Sequence, residues 1–412
     1  MNPIVEKIYH KKPFLSKISQ LCIEKINSWI KDSEKSFEKT IIKESILDKN
    51  SELPKGKYYY HIPYKIKHHI ENNEWVGKQY SFSIQNRVFT IHCIHPTNNI
   101  QQENEIMAWF DIIKKQIYSW LYIACSQSKE ECSKDLSIYL YFTDFKKQFP
   151  HKKEILGENH VNSAYTFSCK LNENGNNEMY LYRKEEWFKV LIHECFHAFS
   201  LDFSHMDCGK IDKEITKIFP LHLDLRFYET YTETWAEILN VIYYVYFHEN
   251  MKLSKIIECL KIEQLHSLFQ MVKILKYNEI SYNELYENSE KAKTKRIHNY
   301  NEYTPIFSYY ILKCICMMNV GEFIEWSYVG NRGSLNINKN PFIDTETNMN
   351  LFVNFIQKRY NHVVFLNSVK HMEHYYYVLS NNYKHLKKNT KTSENNFFIL
   401  NNLRMSVFEK AS

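Results

Sequence analysis

The sequence predicts a helix-rich α+β protein, and three observations carry that reading. Apolar residues recur at helical spacing through long stretches. Shorter stretches alternate apolar and polar residues as half-buried strands do. The two kinds interleave up to about residue 200, and helical periodicity dominates beyond residue 250.

In chain order, residues 14–31 read as a helix, with Leu15, Ile18, Cys22, Ile26 and Trp29 on one face. Residues 32–56 are polar and read as the helix fading into a loop, and Tyr58 to Ile66 reads as extended. Ser81 to Ile84 and Val88 to Ile94 form a hairpin about Gln85-Asn86, with Phe89, Ile91 and Cys93 pointing inward. Glu103 to Ala124 is an amphipathic helix through Ile106, Phe110, Ile113, Ile117 and Leu121, and Leu136 to Phe142 is a strand. Asn162 to Cys169 and Glu178 to Arg183 form a second hairpin, with Gly175 at its turn. Beyond residue 250 the helices fall at 251–276, 305–319, 349–359, 363–381 and 397–409.

The stretch that points to chemistry is Glu186 to Asp202, which contains His193-Glu194-Cys195-Phe196-His197. Histidines four residues apart share a helix face, so both imidazoles reach one ion, and Glu194 projects beside them where it can act as general base on a water. Phe188, Leu191, Ile192, Cys195 and Phe199 form the opposite, apolar stripe, and Glu185-Glu186 suits the helix N-terminus. A chance match in a chain with 19 histidines is the bland alternative. Downstream, Glu229, Glu233 and Glu237 recur every four residues on one helical face. In a solvated helix such carboxylates repel by roughly a few tenths of a kcal/mol per pair, and a nearby dication would relieve that. A plain acidic stripe is the other reading.

His193-Glu194-x-x-His197 followed by Glu233-Thr-Trp-Ala-Glu237 resembles the gluzincin pattern of zinc metallopeptidases, HExxH then ExxxD or ExxxE. The branch with HExxHxxGxxH is excluded, because Ser200 and Phe203 stand at its Gly and His positions. The resemblance implies a zincin-like upper lobe, a small mixed sheet plus the HExxH helix, over a mainly helical lower lobe. It implies Zn2+ on His193, His197 and Glu233, Glu237 orienting a ligand imidazole, and Glu194 driving hydrolysis of a peptide bond. Glu229 is the alternative ligand if the register lies one turn earlier. Asn162-Ser163-Ala164-Tyr165 resembles the edge strand on which gluzincins lay out substrate, with Asn162 and Ala164 as backbone contacts, though Ser163 intrudes; it is equally a plain strand. The oxyanion donor is left among Tyr228, Tyr231, Tyr309, Tyr310 and His362. His205, Asp207, Cys208 and His222, between the two helices, are rival ligands. Glu237 where many members carry Asp, and a longer connection between the helices than in thermolysin, are departures. The stretch from Arg183 to Ser204 is also similar to uncharacterised HExxH proteins of large DNA viruses, which would allow a virion-associated protein.

Composition bounds the rest. With 412 residues, 44% hydrophobic and 16% aromatic, the chain can build a substantial core. It divides as a helical extension (1–77), a catalytic lobe (78–250) and a helical lobe (251–412). Gly at 8 and Pro at 9 are sparse, a bias read as source, not function. Lys+Arg at 53 against Asp+Glu at 47 leaves +6, too little to argue for nucleic acid. The basic clusters Lys146-Lys147, Lys152-Lys153, Lys291 to Arg296 and Lys384 to Lys391 read as solvated loops. Ten scattered cysteines without CxxC read as reduced, buried thiols in a cytoplasmic compartment. The N-terminus lacks a signal-peptide core, and no apolar run is long enough to span a membrane. His92 and His95 would point to opposite faces of a strand and are rejected as a metal pair. A zinc staple without turnover, inside a particle or complex, is the alternative function.

Overall fold

The computed structural model describes residues 14–47, 52–96, 102–169, 176–385 and 391–409. The fold is α+β and helix-rich: a six-stranded mixed sheet in the N-terminal part, followed by a mainly helical C-terminal region. The strands β1 (Lys43–Leu47), β2 (Trp75–Ile84), β3 (Arg87–Pro96), β4 (Asp135–Tyr141), β5 (Ala164–Thr166) and β6 (Asn176–Leu181) lie in the order β1-β2-β3-β4-β6-β5. β3, β4 and β6 run parallel, and the other pairs are antiparallel.

Period-two alternation sorts the side chains of the sheet onto two faces. Leu136, Ile138 and Leu140 of β4 enter the main core with Phe89, Ile91 and Cys93 of β3. Tyr139 and Tyr141 point the other way and join Tyr180, Tyr182, Trp75 and Ile94 in a second, aromatic cluster. Helix α1 (Lys17–Phe37) is capped by Ser16, whose hydroxyl accepts from the Ser19 amide. Tyr64–Asn72 is α2, which covers the aromatic face through Ile66 and Ile70. On the main-core face lies α3 (Glu103–Gln127), the crossover that parallel strands β3 and β4 require.

Two short elements depart from the sequence expectation. The stretch expected to be extended is a 3-10 turn at Tyr59–His61 followed by α2, whose two buried isoleucines sit one turn apart behind Pro63. The presumed loop at 32–56 contains β1, an exposed edge strand.

After the sheet come α4 (Trp187–Ala198), α5 (Gly209–Ile218) and α6 (Phe227–His248). They are followed by α7 (Leu253–Tyr277), α8 (Glu290–Asn299), a π-helical turn at Phe307–Leu312, α9 (Lys313–Met318) and α10 (Val320–Gly330). Thr345–Gln357, Val363–His385 and Lys391–Asn401 are α11, α12 and α13. The basic run Lys291 to Arg296, expected in a loop, lies on α8 with Arg296 buried. Lys147, expected in solvent, is buried and paired with Glu186 at 2.9 Å. Most of the run from Lys384 to Lys391 falls outside the described residues. No described helix is long and apolar enough to cross a membrane.

The all-thiol expectation is corrected as well. Cys132 and Cys169 form a disulfide, and the other eight cysteines are unpaired and buried. The bridge ties the segment after β5 to the segment before β4, and the Cys169 amide donates to the His197 carbonyl at the end of α4. It closes a sequence separation of 37 residues, and a loop of that size is worth about 2–4 kcal/mol. A Cys132→Ser/Cys169→Ser protein is therefore expected to unfold at a lower urea midpoint, with an unfolding free energy smaller by about 2–4 kcal/mol; an unchanged midpoint would show that the bridge contributes nothing.

Candidate metal centre

α4 and α6 pack against each other, and every residue of α4 is buried. Glu186 precedes α4 in a left-handed conformation (φ 58°), where it forms an ion pair with Lys147 and accepts from the Ser406 amide. Glu185-Glu186 therefore anchors the helix start through side-chain bonds and does not form its first turn.

His193 and His197 project from α4 toward the first turn of α6, where Glu229 stands. His193 Nε2 lies 3.2 Å from Glu229 Oε2, His197 Nε2 lies 3.3 Å from the same oxygen, and the two nitrogens are 3.2 Å apart. All three residues are buried, and they are the group among the described residues whose ligand atoms converge as a metal site needs. Donors roughly 2.0–2.1 Å from a tetrahedral zinc lie about 3.3 Å from one another, which is the edge seen here.

The far side of each imidazole is held by a carboxylate. His193 Nδ1 lies 2.7 Å from Glu233 Oε2, and His197 Nδ1 lies 2.5 Å from Asp202 Oδ2. With a dication bound, each carboxylate would accept from Nδ1–H and each Nε2 would turn its lone pair inward. Glu229 Oε2 is buried without a well-formed hydrogen bond. Three inward lone pairs at this spacing repel unless a cation or extra protons sit between them. The donor set and its spacing fit a zinc-sized dication.

The sequence placed Glu233 as third ligand, with Glu229 the alternative, and Glu237 behind an imidazole; in the structure Glu229 stands beside both Nε2 atoms and Glu233 lies behind His193. α6 begins at Phe227, so its first turn meets the histidines, and Glu233 passes behind His193. Glu237 lies one turn deeper, 2.5 Å from the buried Lys313. The E-x-x-x-E spacing is met equally by Glu229 and Glu233. Asp202, absent from the sequence reading, is held by Thr232 Oγ1 and by the Ser204 amide and hydroxyl.

The electrostatics follow from burial. Burial disfavours the imidazolium of His197, but Asp202 and Glu229 outweigh it and hold the group well above its usual range; Glu229 and Glu233 do the same for His193 less strongly. Despite burial, the carboxyl of Glu229 is held well below its ordinary range by the two histidines, and that of Glu233 by Lys189 and His193. Glu194 goes the other way: burial raises its carboxyl, the direction a general base needs.

Glu194 and His193 line a cleft of about 40 Å³ with Asn162, Ser163 and Ala164 along one wall and Tyr309 on another. That volume holds a few waters. Ala164 begins β5, the sheet's edge strand, Asn162 lies two residues before it, and both line the cleft beside His193 and Glu194. Asn162 Oδ1 accepts from Thr304, and its carbonyl from Arg183. Among the tyrosines, Tyr231 donates to the Leu335 carbonyl in the core and Tyr310 to the Leu403 carbonyl, so neither faces the cleft. Tyr228 stands edge-on to His197 at 5.7 Å, and Tyr309 is 6.0 Å from His193. Burial, then nearby carboxylates, keep Tyr309 a neutral phenol. His362 is exposed before α12.

The rival ligands go elsewhere. His205 bonds Ser200, Asp207 caps the Gly209 amide, Cys208 Sγ faces backbone carbonyls, and His222 is exposed. His92 stacks on Tyr139, and His95 bonds the Pro96 carbonyl. No protein-family model, curated protein or solved structure matches the chain.

Behind the site, Glu263 is fully buried near Lys313, Glu237 and Glu186, and burial lifts its carboxyl from 4.5 to about 7 against the pull of Lys313. Between those values the folded chain keeps a proton that the unfolded chain has lost, so this group makes stability fall as pH rises through the window. Glu263→Gln is expected to flatten that fall in urea midpoints measured from pH 4.5 to pH 8. An unaltered slope would count against it.

Proposed function

We propose that the chain is a zinc-dependent peptidase of the gluzincin type, with His193, His197 and Glu229 holding the ion and Glu194 as general base. The observation that carries this reading is the triangle of two imidazole Nε2 atoms and a Glu229 oxygen within 3.2–3.3 Å of one another, with Glu194 beside His193 on the same cleft. When bound there, zinc would lower the pKa of a water and polarise a carbonyl. The chain's own residues do the rest. Glu233 and Asp202 fix the ring orientations, and Glu194, raised by burial, takes the proton from the attacking water and returns it to the leaving amine. Ala164, on the edge strand, and Asn162, just before it, would hold an extended peptide by its backbone, and Tyr309, neutral and facing the cleft, would donate to the oxyanion.

The small cleft favours one rival, a zinc staple without turnover in a cytoplasmic or particle-bound protein. Glu194→Gln separates the two. Under the peptidase reading it keeps its zinc and loses peptide hydrolysis by about 10²–10⁴-fold. Hydrolysis equal to wild type would eliminate Glu194 as base, and no hydrolysis by zinc-loaded wild type across a peptide library would favour the staple.

A further inference from the structure

The two ligand histidines are backed differently. Asp202, behind His197, is held by three neutral donors: the Thr232 hydroxyl at 2.8 Å, the Ser204 amide at 3.1 Å and the Ser204 hydroxyl at 2.8 Å. Glu233, behind His193, is held by a cation. Lys189 Nζ lies 2.6 Å from Glu233 Oε1, while Oε2 of the same carboxylate faces His193 Nδ1 at 2.7 Å. Lys189 and Glu233 side chains are only 2% and 1% exposed.

Glu233 carries three rotatable bonds, and Lys189 is the donor that holds its Oε1 while Oε2 faces His193, so its placement depends on that one ammonium. Lys189 sits one turn before His193 on α4, which puts cation and imidazole on the same face. Met405, from the C-terminal segment, packs 3.7 Å from the ammonium and closes that side against water.

We infer that Lys189 is a positioning residue for the metal centre, clamping Glu233 so that His193 presents Nε2 to the ion. The inference rests on the zinc reading above. Outer-shell partners of ligand histidines change metal affinity by roughly 10–100-fold when removed. Lys147 provides an internal control: it is equally buried and lines the same cleft, but it pairs with Glu186 and touches no ligand.

The test is zinc affinity by chelator competition on wild type, Lys189→Met, Glu233→Gln, the double variant, Lys147→Met and Glu229→Ala. Lys189→Met and Glu233→Gln are each expected to lose about 10–100-fold, and the double variant no more than the worse single. Lys147→Met is expected to lose thermal stability and keep its zinc affinity. Lys189→Gln, whose amide still donates to Glu233, is the milder variant should methionine prevent folding, and falls between wild type and Lys189→Met. Wild-type affinity in Lys189→Met, additive losses in the double variant, or an equal loss in Lys147→Met would each overturn the inference. If Glu229→Ala still loses zinc in that case, the zinc reading stands; absence of zinc from wild type overturns both.

Discussion

The close packing of α4 on α6 is the constraint on which the rest depends. It brings two imidazole nitrogens and a carboxylate oxygen within 3.2–3.3 Å of one another in a buried place. Around them stand the buried carboxyl groups of Glu194, Glu229, Glu233 and Asp202, of which Glu233 is paired directly with an ammonium, Lys189. Buried charge of one sign is expensive unless something neutralises it. A dication held by the two Nε2 atoms and the Glu229 carboxylate would do so.

The sheet positions this crossing. Its aromatic face is closed by α2, which leaves the aliphatic face and α3 to receive α4. Its edge strand β5 borders the cleft at the level of His193 and Glu194. The disulfide fastens the chain just past β5 to the segment before β4, and the Cys169 amide donates to the His197 carbonyl, so the edge strand is tied covalently to the sheet and by a hydrogen bond to the end of α4. One continuous core then runs from Leu15 to Met405, joining the helical C-terminal region to the same scaffold.

What could be read from the sequence followed the strength of its periodicity. The long helix α3, the β2–β3 hairpin and α4 with its histidines carry repeats that few other structures satisfy. β1 escaped because an exposed edge strand of Lys-Glu-Ser-Ile-Leu has no buried face to impose alternation. α5 escaped because only Ile211 and Ile215 mark its buried side. The disulfide left no signal, as two cysteines 37 residues apart belong to no spacing motif. The third ligand was ambiguous for a different reason: Glu229, Glu233 and Glu237 repeat one spacing, and only the crossing point of two helices chooses among them. Asp202 and Lys189 act through contacts outside the motif, one in the turn after α4 and one a helical turn before His193.

The most direct test of the zinc centre is a crystal structure of the purified protein with anomalous diffraction recorded on both sides of the zinc edge. The account predicts a zinc peak roughly 2.0–2.2 Å from His193 Nε2, His197 Nε2 and a Glu229 carboxylate oxygen, with Glu233 and Asp202 behind the rings. A peak bound through Glu233 in place of Glu229, or no peak from zinc-supplemented protein, would contradict it.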